Sequence, residues 1–206
     1  MKGYPNDLYI LAFDHRGTLT KGLLGVEGRQ PSEEEVARVS SMKDIIFDGF
    51  LEASSKGIEG GDPAILVDET FGLQVQNRAK DMGIKLAAPV EKSGQKIFDF
   101  EYGDNFGEKI KEVNADFVKI LVRWNPDDDS ETRQIQGERI KTLSDWLDEN
   151  ERKFLLEFLV PASGEQLASV DGDQSRYDSE IRPKLAVQVV EEMRERGADP
   201  DIWKIE

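Results

Sequence analysis

Apolar residues in this chain come in short continuous runs. The runs alternate with stretches in which apolar positions recur every three or four residues. The first run is 8–13 (LYILAF), closed by Asp14. A run of this kind, without strict alternation, suits a parallel strand buried on both faces. Residues 17–28 carry glycines at 17, 22, 25 and 28 and are expected to form a loop. Ser32 and Glu35 then have the spacing of a capping box. Val36, Val39, Ile46, Phe47, Phe50 and Leu51 supply a helical stripe, which residues 57–62 end.

The alternation repeats. Residues 64–67 predict a short strand ending at Asp68, and 72–82 a helix stopped by Gly83. Residues 84–90 predict a strand running into Glu91 and Lys92. A polar-aromatic connection, 93–105, leads to a helix over 106–113. Residues 117–122 (FVKILV) are a strong strand signal, followed by a loop at 125–129. The helix over 131–150 has Ile140, Leu143 and Leu147 at spacings of three and four. Residues 154–160 (FLLEFLV) are another strong strand. The stretch 163–179 reads as loop-rich. Residues 182–196 form a helix with Leu185, Val189 and Met193 every fourth residue and Gly197 as its stop. Pro200 and Asp201 close a loop, and Ile202, Trp203 and Ile205 supply a last strand that encloses Lys204.

Six strands separated by five helices predict a parallel sheet with right-handed crossovers. A (β/α) barrel in one domain is the expectation, with a doubly wound sheet as the alternative. No GxGxxG follows the first strand, which weakens a dinucleotide-binding version.

Composition narrows the function. A chain of 206 residues is long enough for one domain with a sizeable core. Its formal net charge of −15 argues against nucleic acid as a partner, although a local Lys/Arg cluster can still hold a small anion. Cysteine is absent, which excludes disulfides, cysteine zinc sites and cysteine nucleophiles. The single histidine, His15, excludes poly-histidine metal sites. No apolar run approaches ~20 residues, so no membrane helix is expected. Residues 1–7 are short and polar rather than a signal peptide, and a cytoplasmic protein is the default expectation.

The chemistry lies in the charges at the strands. Asp14, Asp68, Glu91 and Lys92 follow apolar runs, whereas Lys119, Glu157 and Lys204 lie inside them. In a (β/α) barrel the C-terminal strand ends surround the active site. An acid after a strand is most often a helix cap or a solvated loop residue, and for Asp68 that reading stands level with the functional one. Mid-strand charges are rarely buried unless paired, so a structural Lys119–Glu157 salt bridge is the bland account of those two. For Lys204 the bland account is a packed stem with a solvated head. The chemical account makes Lys204, desolvated and near the like charge of Lys119, an amine of lowered pKa that attacks a carbonyl. Glu157 would move protons, and Lys119 would hold a substrate oxygen or phosphate.

Six stretches together carry a resemblance: AFDHRG at 12–17, ILVDETFG at 65–72, PVEKSGQ at 89–95, FVKILVRWNP at 117–126, FLLEFLVPA at 154–162 and DPDIWKIE at 199–206. The chain resembles the aldolase-like domain fused to the sugar kinase of bacterial myo-inositol catabolism. More distantly, it is similar to tagatose 1,6-bisphosphate aldolase. The resemblance implies a TIM (β/α)8-type barrel, of which this chain, incomplete at the C-terminus, covers about six βα units. Strands seven and eight, where such barrels usually bind phosphate, would lie beyond it.

By the same resemblance Lys204 is the Schiff-base lysine, and Glu157, Lys119 and Asp14 serve acid–base work and substrate contact. His15, Arg16, Asp68, Glu91, Lys92 and Arg123 are the candidate substrate-binding residues. His15 stands where the tagatose enzyme has Gln, as in the kinase-fused branch. That implies cleavage of 2-deoxy-5-keto-gluconate 6-phosphate to dihydroxyacetone phosphate and malonate semialdehyde, with no metal and no cofactor. A sugar-kinase domain or partner and a homo-oligomer are compatible with it. Two other classes stay open: a lyase or isomerase using Asp14, Asp68, Glu91 and Glu157 as Mg²⁺ carboxylates, and a sugar-phosphate sensor or structural remnant without turnover.

Overall fold

The structure, a computed structural model, describes residues 2–57 and 60–206. The expectations touching residue 1 and residues 58 and 59 lie outside the described residues. Six strands, β1 (Asp7–Ala12), β2 (Gly61–Leu66), β3 (Lys85–Pro89), β4 (Phe117–Arg123), β5 (Lys153–Leu159) and β6 (Ile202–Ile205), form one sheet in sequential order. Every neighbouring pair is parallel. This order rules out the doubly wound alternative, in which the strand sequence reverses at a switch point.

The sheet is curled into a half-barrel. Strand β4 is three places from β1, so in a flat sheet the two would lie ~14 Å apart. Yet Lys119 on β4 reaches Asp14, just past β1, at 2.7 Å. At the opposite end the N-terminal segment crosses the strand bottoms. Lys2 Nζ donates to Asp148 Oδ1 at 2.7 Å and to the Asp199 carbonyl at 2.8 Å. The Tyr4 ring meets Phe117 edge-on at 5.5 Å.

Helices cover the outer face: α1 (Gly17–Leu24), α2 (Glu33–Gly57), α3 (Glu69–Asp81), α4 (Phe106–Val113), α5 (Ser130–Glu149), α6 (Gly164–Ala168), α7 (Gln174–Arg176) and α8 (Arg182–Glu195). One cluster packs α2 and α3 on β2 and β3, through Phe47, Phe50, Val75, Ile65 and Leu86. A second packs α4, α5 and α8 on β4 and β5, through Ile110, Leu143, Val189, Ile120 and Phe158. A third, smaller cluster is the inner face: Leu66, Ala87, Phe117 and Leu155, with Leu8, Ile10, Ala12 and Ile202 against them. Inner residues recur every second position, as the pleat demands.

Several expectations need correction. Residues 17–24 are helical rather than a loop; Gly25, at φ 64°, ends that helix in the left-handed region that favours glycine. The stretch 163–179 is largely helical. Ser163 and Gln166 cap α6 reciprocally. Residues Tyr177–Ile181 form a π-helical turn, with the Tyr177 hydroxyl donating to the Val160 carbonyl at 2.7 Å. Strand β1 is not buried on both faces: Tyr9 and Leu11 are exposed on its outer side. Strand β6 is only half-buried, and Ile205 is exposed. Both are edge strands of the sheet.

Candidate active site at the C-terminal strand ends

The inner face changes character along the strands. Its lower level is apolar, with Phe117, Leu155 and Ile202. Two residues further along the same strands, on the same face, stand Lys119, Glu157 and Lys204. The register pairs Leu155 with Ile202 and Glu157 with Lys204. The charges therefore interrupt apolar runs because each strand's outer residues stay in the hydrophobic layer while its inner residues pass from core to cavity. That cavity, about 430 Å³, lies at the C-terminal ends of the strands.

Lys119 is its centre. Its Nζ lies 2.7 Å from Asp14 Oδ2, 3.1 Å from Glu91 Oε1 and 3.1 Å from Glu157 Oε2, with 1% of the side chain exposed. It donates hydrogen bonds to Asp14 and Glu91, and Glu157 adds an ion pair. Burial works against the ammonium, but Glu91, Asp14 and Glu157 outweigh it and hold Lys119 above the ordinary lysine range. Burial likewise works against the Asp14 carboxylate, and Lys119 prevails in keeping it below the usual aspartate range. At Glu91 burial wins: its carboxyl is pushed up despite Lys119 and Arg16. Its Oε2 is buried with no hydrogen-bond partner. Arg16 donates from Nη2 to Glu91 Oε1 at 3.0 Å and approaches Glu101 at 3.6 Å.

Glu157 is shared. Oε2 faces Lys119, and Oε1 accepts from Lys204. Lys204 differs from Lys119 in access, with 41% of its side chain exposed against 1%. The expected desolvation of Lys204 is thus replaced by a half-open setting against a buried carboxylate. The expected bland bridge, Lys119 with Glu157, is present, but as part of a larger chain of charges.

Of the remaining candidates, His15 is exposed on the cavity wall and Lys92 is exposed beside it. Arg123 is half-buried and donates from Nη1 to the Gln95 carbonyl at 3.0 Å. Asp68 is elsewhere. It is fully buried, caps α3 by accepting the Phe71 N–H at 2.9 Å, and pairs with Lys43. Helix capping was one of its two expected readings. Lys43 itself was missed, although it occupies an apolar place in the α2 stripe, between Val39 and Phe47. Glu101, also missed, carries no periodic signal because it lies in a connection. Among the described residues, no group of three or more His, Asp or Glu side chains is placed to hold a metal ion. No helix of the described residues is long and apolar enough to cross a membrane.

The chain is similar to tagatose 1,6-diphosphate aldolases. It is 23% identical over 201 residues to that of Lactococcus lactis subsp. lactis, covering 95% of this chain and 56% of the relative. It is 24% identical over 201 residues to that of Streptococcus pneumoniae serotype 4, with the same coverage. It thus spans about half the length of these curated relatives. A solved structure, Cgl0159 from Corynebacterium glutamicum, has a TM-score of 0.44 and 17% identity, over 73% of this chain and 47% of that one. A family model described as "Uncharacterized protein conserved in bacteria (DUF2090)" matches residues 2–206, and the chain belongs to that family.

Proposed function

We propose that this chain carries the reacting groups of a Schiff-base aldolase. The reaction is carbon–carbon cleavage of a phosphorylated keto sugar or keto sugar acid, giving dihydroxyacetone phosphate and an aldehyde. The observation that carries the reading is the unbroken run of contacts Lys204–Glu157–Lys119–Asp14 within one cavity. Two lysines share one carboxylate in unlike settings. Lys119 is walled in and held as a cation, while Lys204 is open to a ligand.

In this reading Glu157 takes a proton from the Lys204 ammonium, and the freed amine attacks the ketone carbon. The carbinolamine loses water with a proton returned by Glu157. The iminium that results draws in the electron pair of the neighbouring carbon–carbon bond. Asp14, kept ionised by Lys119, accepts the hydroxyl proton from the carbon that departs as aldehyde. Protonation of the enamine and hydrolysis release dihydroxyacetone phosphate and regenerate Lys204. Lys119 remains charged throughout and offsets negative charge on substrate oxygens.

The cavity's charge fits an anionic substrate. Six cationic side chains and three carboxylates line it, a formal excess of three positive charges in a chain of −15. The name of the curated relatives supports the sugar-phosphate class. His15 favours the keto-sugar-acid branch, 2-deoxy-5-keto-gluconate 6-phosphate, associated with a sugar kinase. We take the six strands as part of a (β/α)8 barrel whose further units supply phosphate contacts.

The test is borohydride reduction in the presence of dihydroxyacetone phosphate, followed by peptide mass spectrometry. A reduced adduct on the Lys204 peptide, absent in Lys204→Met, is the expected result. An adduct on Lys119 would move the nucleophile. Cleavage without an adduct on any lysine would overturn the mechanism.

A further inference from the structure

Lys43 of α2 has no exposed side-chain surface and takes no part in the cavity wall. A buried ammonium needs acceptors for its three donors. Lys43 Nζ donates to the Phe13 carbonyl at 2.8 Å, to the His15 carbonyl at 3.1 Å, and to the Asp68 carboxylate. The two carbonyls belong to the residues immediately before and after Asp14. Asp68 is itself held by the first turn of α3, through the Phe71 N–H. One side chain therefore ties α2 and α3 to the turn that presents Asp14, His15 and Arg16.

Stability alone does not call for this arrangement. A methionine would occupy similar space without the desolvation penalty, and buried ion pairs are often no better than apolar replacements. What a methionine lacks is the means to grip a carbonyl on each side of Asp14. We propose that Lys43, locked by Asp68, is a positioning residue that fixes the turn after β1 so that the Asp14 carboxylate meets Lys119. Its catalytic meaning rests on the aldolase reading of Asp14; its structural content does not.

Asp14 also feels Lys204 from β6, Glu91 after β3 and Lys43 itself. The informative variant is therefore Lys43→Met/Asp68→Asn. It removes one charge of each sign and leaves no buried charge unpaired. Asp14 is followed by NMR titration of the chain carrying carboxyl-¹³C aspartate, with its signal assigned through Asp14→Asn. In the folded double variant the Asp14 midpoint is expected to rise by about one unit toward the ordinary aspartate value. Cleavage kcat is expected to fall about tenfold with KM little changed, the pattern of a misplaced group rather than lost binding. Should that variant not fold, Lys43→Gln/Asp68→Asn, too short to reach both carbonyls, provides the same comparison. A folded variant of either kind whose Asp14 titrates as in the native chain overturns the proposal. Absence of both cleavage and a borohydride-reduced Lys204 adduct in the native protein, with the further barrel units present, would sink the aldolase reading and leave the titration to decide this one.

Discussion

A carboxyl group in this cavity takes its protonation from the balance of burial and cation, and two neighbours come out on opposite sides. Asp14 sits below its ordinary range because Lys119 outweighs burial. Its contribution to stability is full above the unfolded aspartate pKa and is lost as pH falls through its lowered folded value. Glu91 sits above its range because burial outweighs Lys119 and Arg16. The native state then binds more protons than the unfolded one, so this group erodes stability as pH rises from the ordinary glutamate range through its folded pKa. Glu91→Gln, a neutral isostere that cannot ionise, should therefore remove that falling limb. Urea midpoints measured between pH 4 and 8 check this; a steeper limb in the variant would contradict it. Glu157 has a different task, with one oxygen on each lysine. Glu157→Gln should lower kcat by about 10²- to 10⁴-fold. Unchanged single-turnover cleavage would remove Glu157 from the proton-transfer role.

At the scale of elements, helix position decides how the strand ends are held. Helix α3 starts at the Asp68 cap and runs so close to the residue that follows β2 that a Cβ on Gly72 would lie 2.3 Å from Val67 Cγ2. Val67 is fully buried and cannot give way cheaply. Gly72→Ala should cost about 1–3 kcal/mol by overpacking. Gly49, in the interior of α2, has open space around it. Gly49→Ala should stabilise by roughly 1 kcal/mol through helix propensity. Chemical denaturation of the two variants should thus move the midpoint in opposite directions, and a shift of the same sign would show that packing at α3 is misjudged. Much of the element pattern was legible. Ser32 and Glu35 form the capping box their spacing predicts, with the Ser32 N–H donating to Glu35 at 2.7 Å. Helix α1 was not, because four glycines outweighed Leu19, Leu23 and Leu24, although Gly25 marks an end rather than an absence. Lys43 was legible in principle. It stands four residues from both Val39 and Phe47, where the stripe calls for an apolar side chain.

Across the whole molecule, charge is segregated. A chain of net −15 gathers a local positive excess around Lys119 and Lys204. Oppositely charged ligands are drawn to such a cleft, while the surrounding field opposes them. Both effects shrink once the Debye length, about 10 Å at 0.1 M salt, falls below the cavity's dimensions. Calorimetric titration with dihydroxyacetone phosphate should show affinity falling as sodium chloride rises. Arg123→Gln should weaken binding several-fold and flatten that salt dependence. Affinity insensitive to both would place the anion outside this cleft.

The sequence by itself determined what local physics controls: most of the strands and helices, their alternation and hence a parallel sheet, and which strands carry a charge where none is expected. Period and chain direction suffice for that, because a strand's alternation and a helix's stripe are written in neighbouring residues. Only the tertiary structure decided what those charges face. Curling brings β1 and β4 together and makes Lys119 the common partner of Asp14, Glu91 and Glu157. It sends Asp68 outward to Lys43. It also leaves Lys204 half-open at the sheet edge rather than enclosed. A charge's partners are set by sheet curvature and helix placement over tens to a hundred residues of chain, and no spacing within a single run encodes that distance.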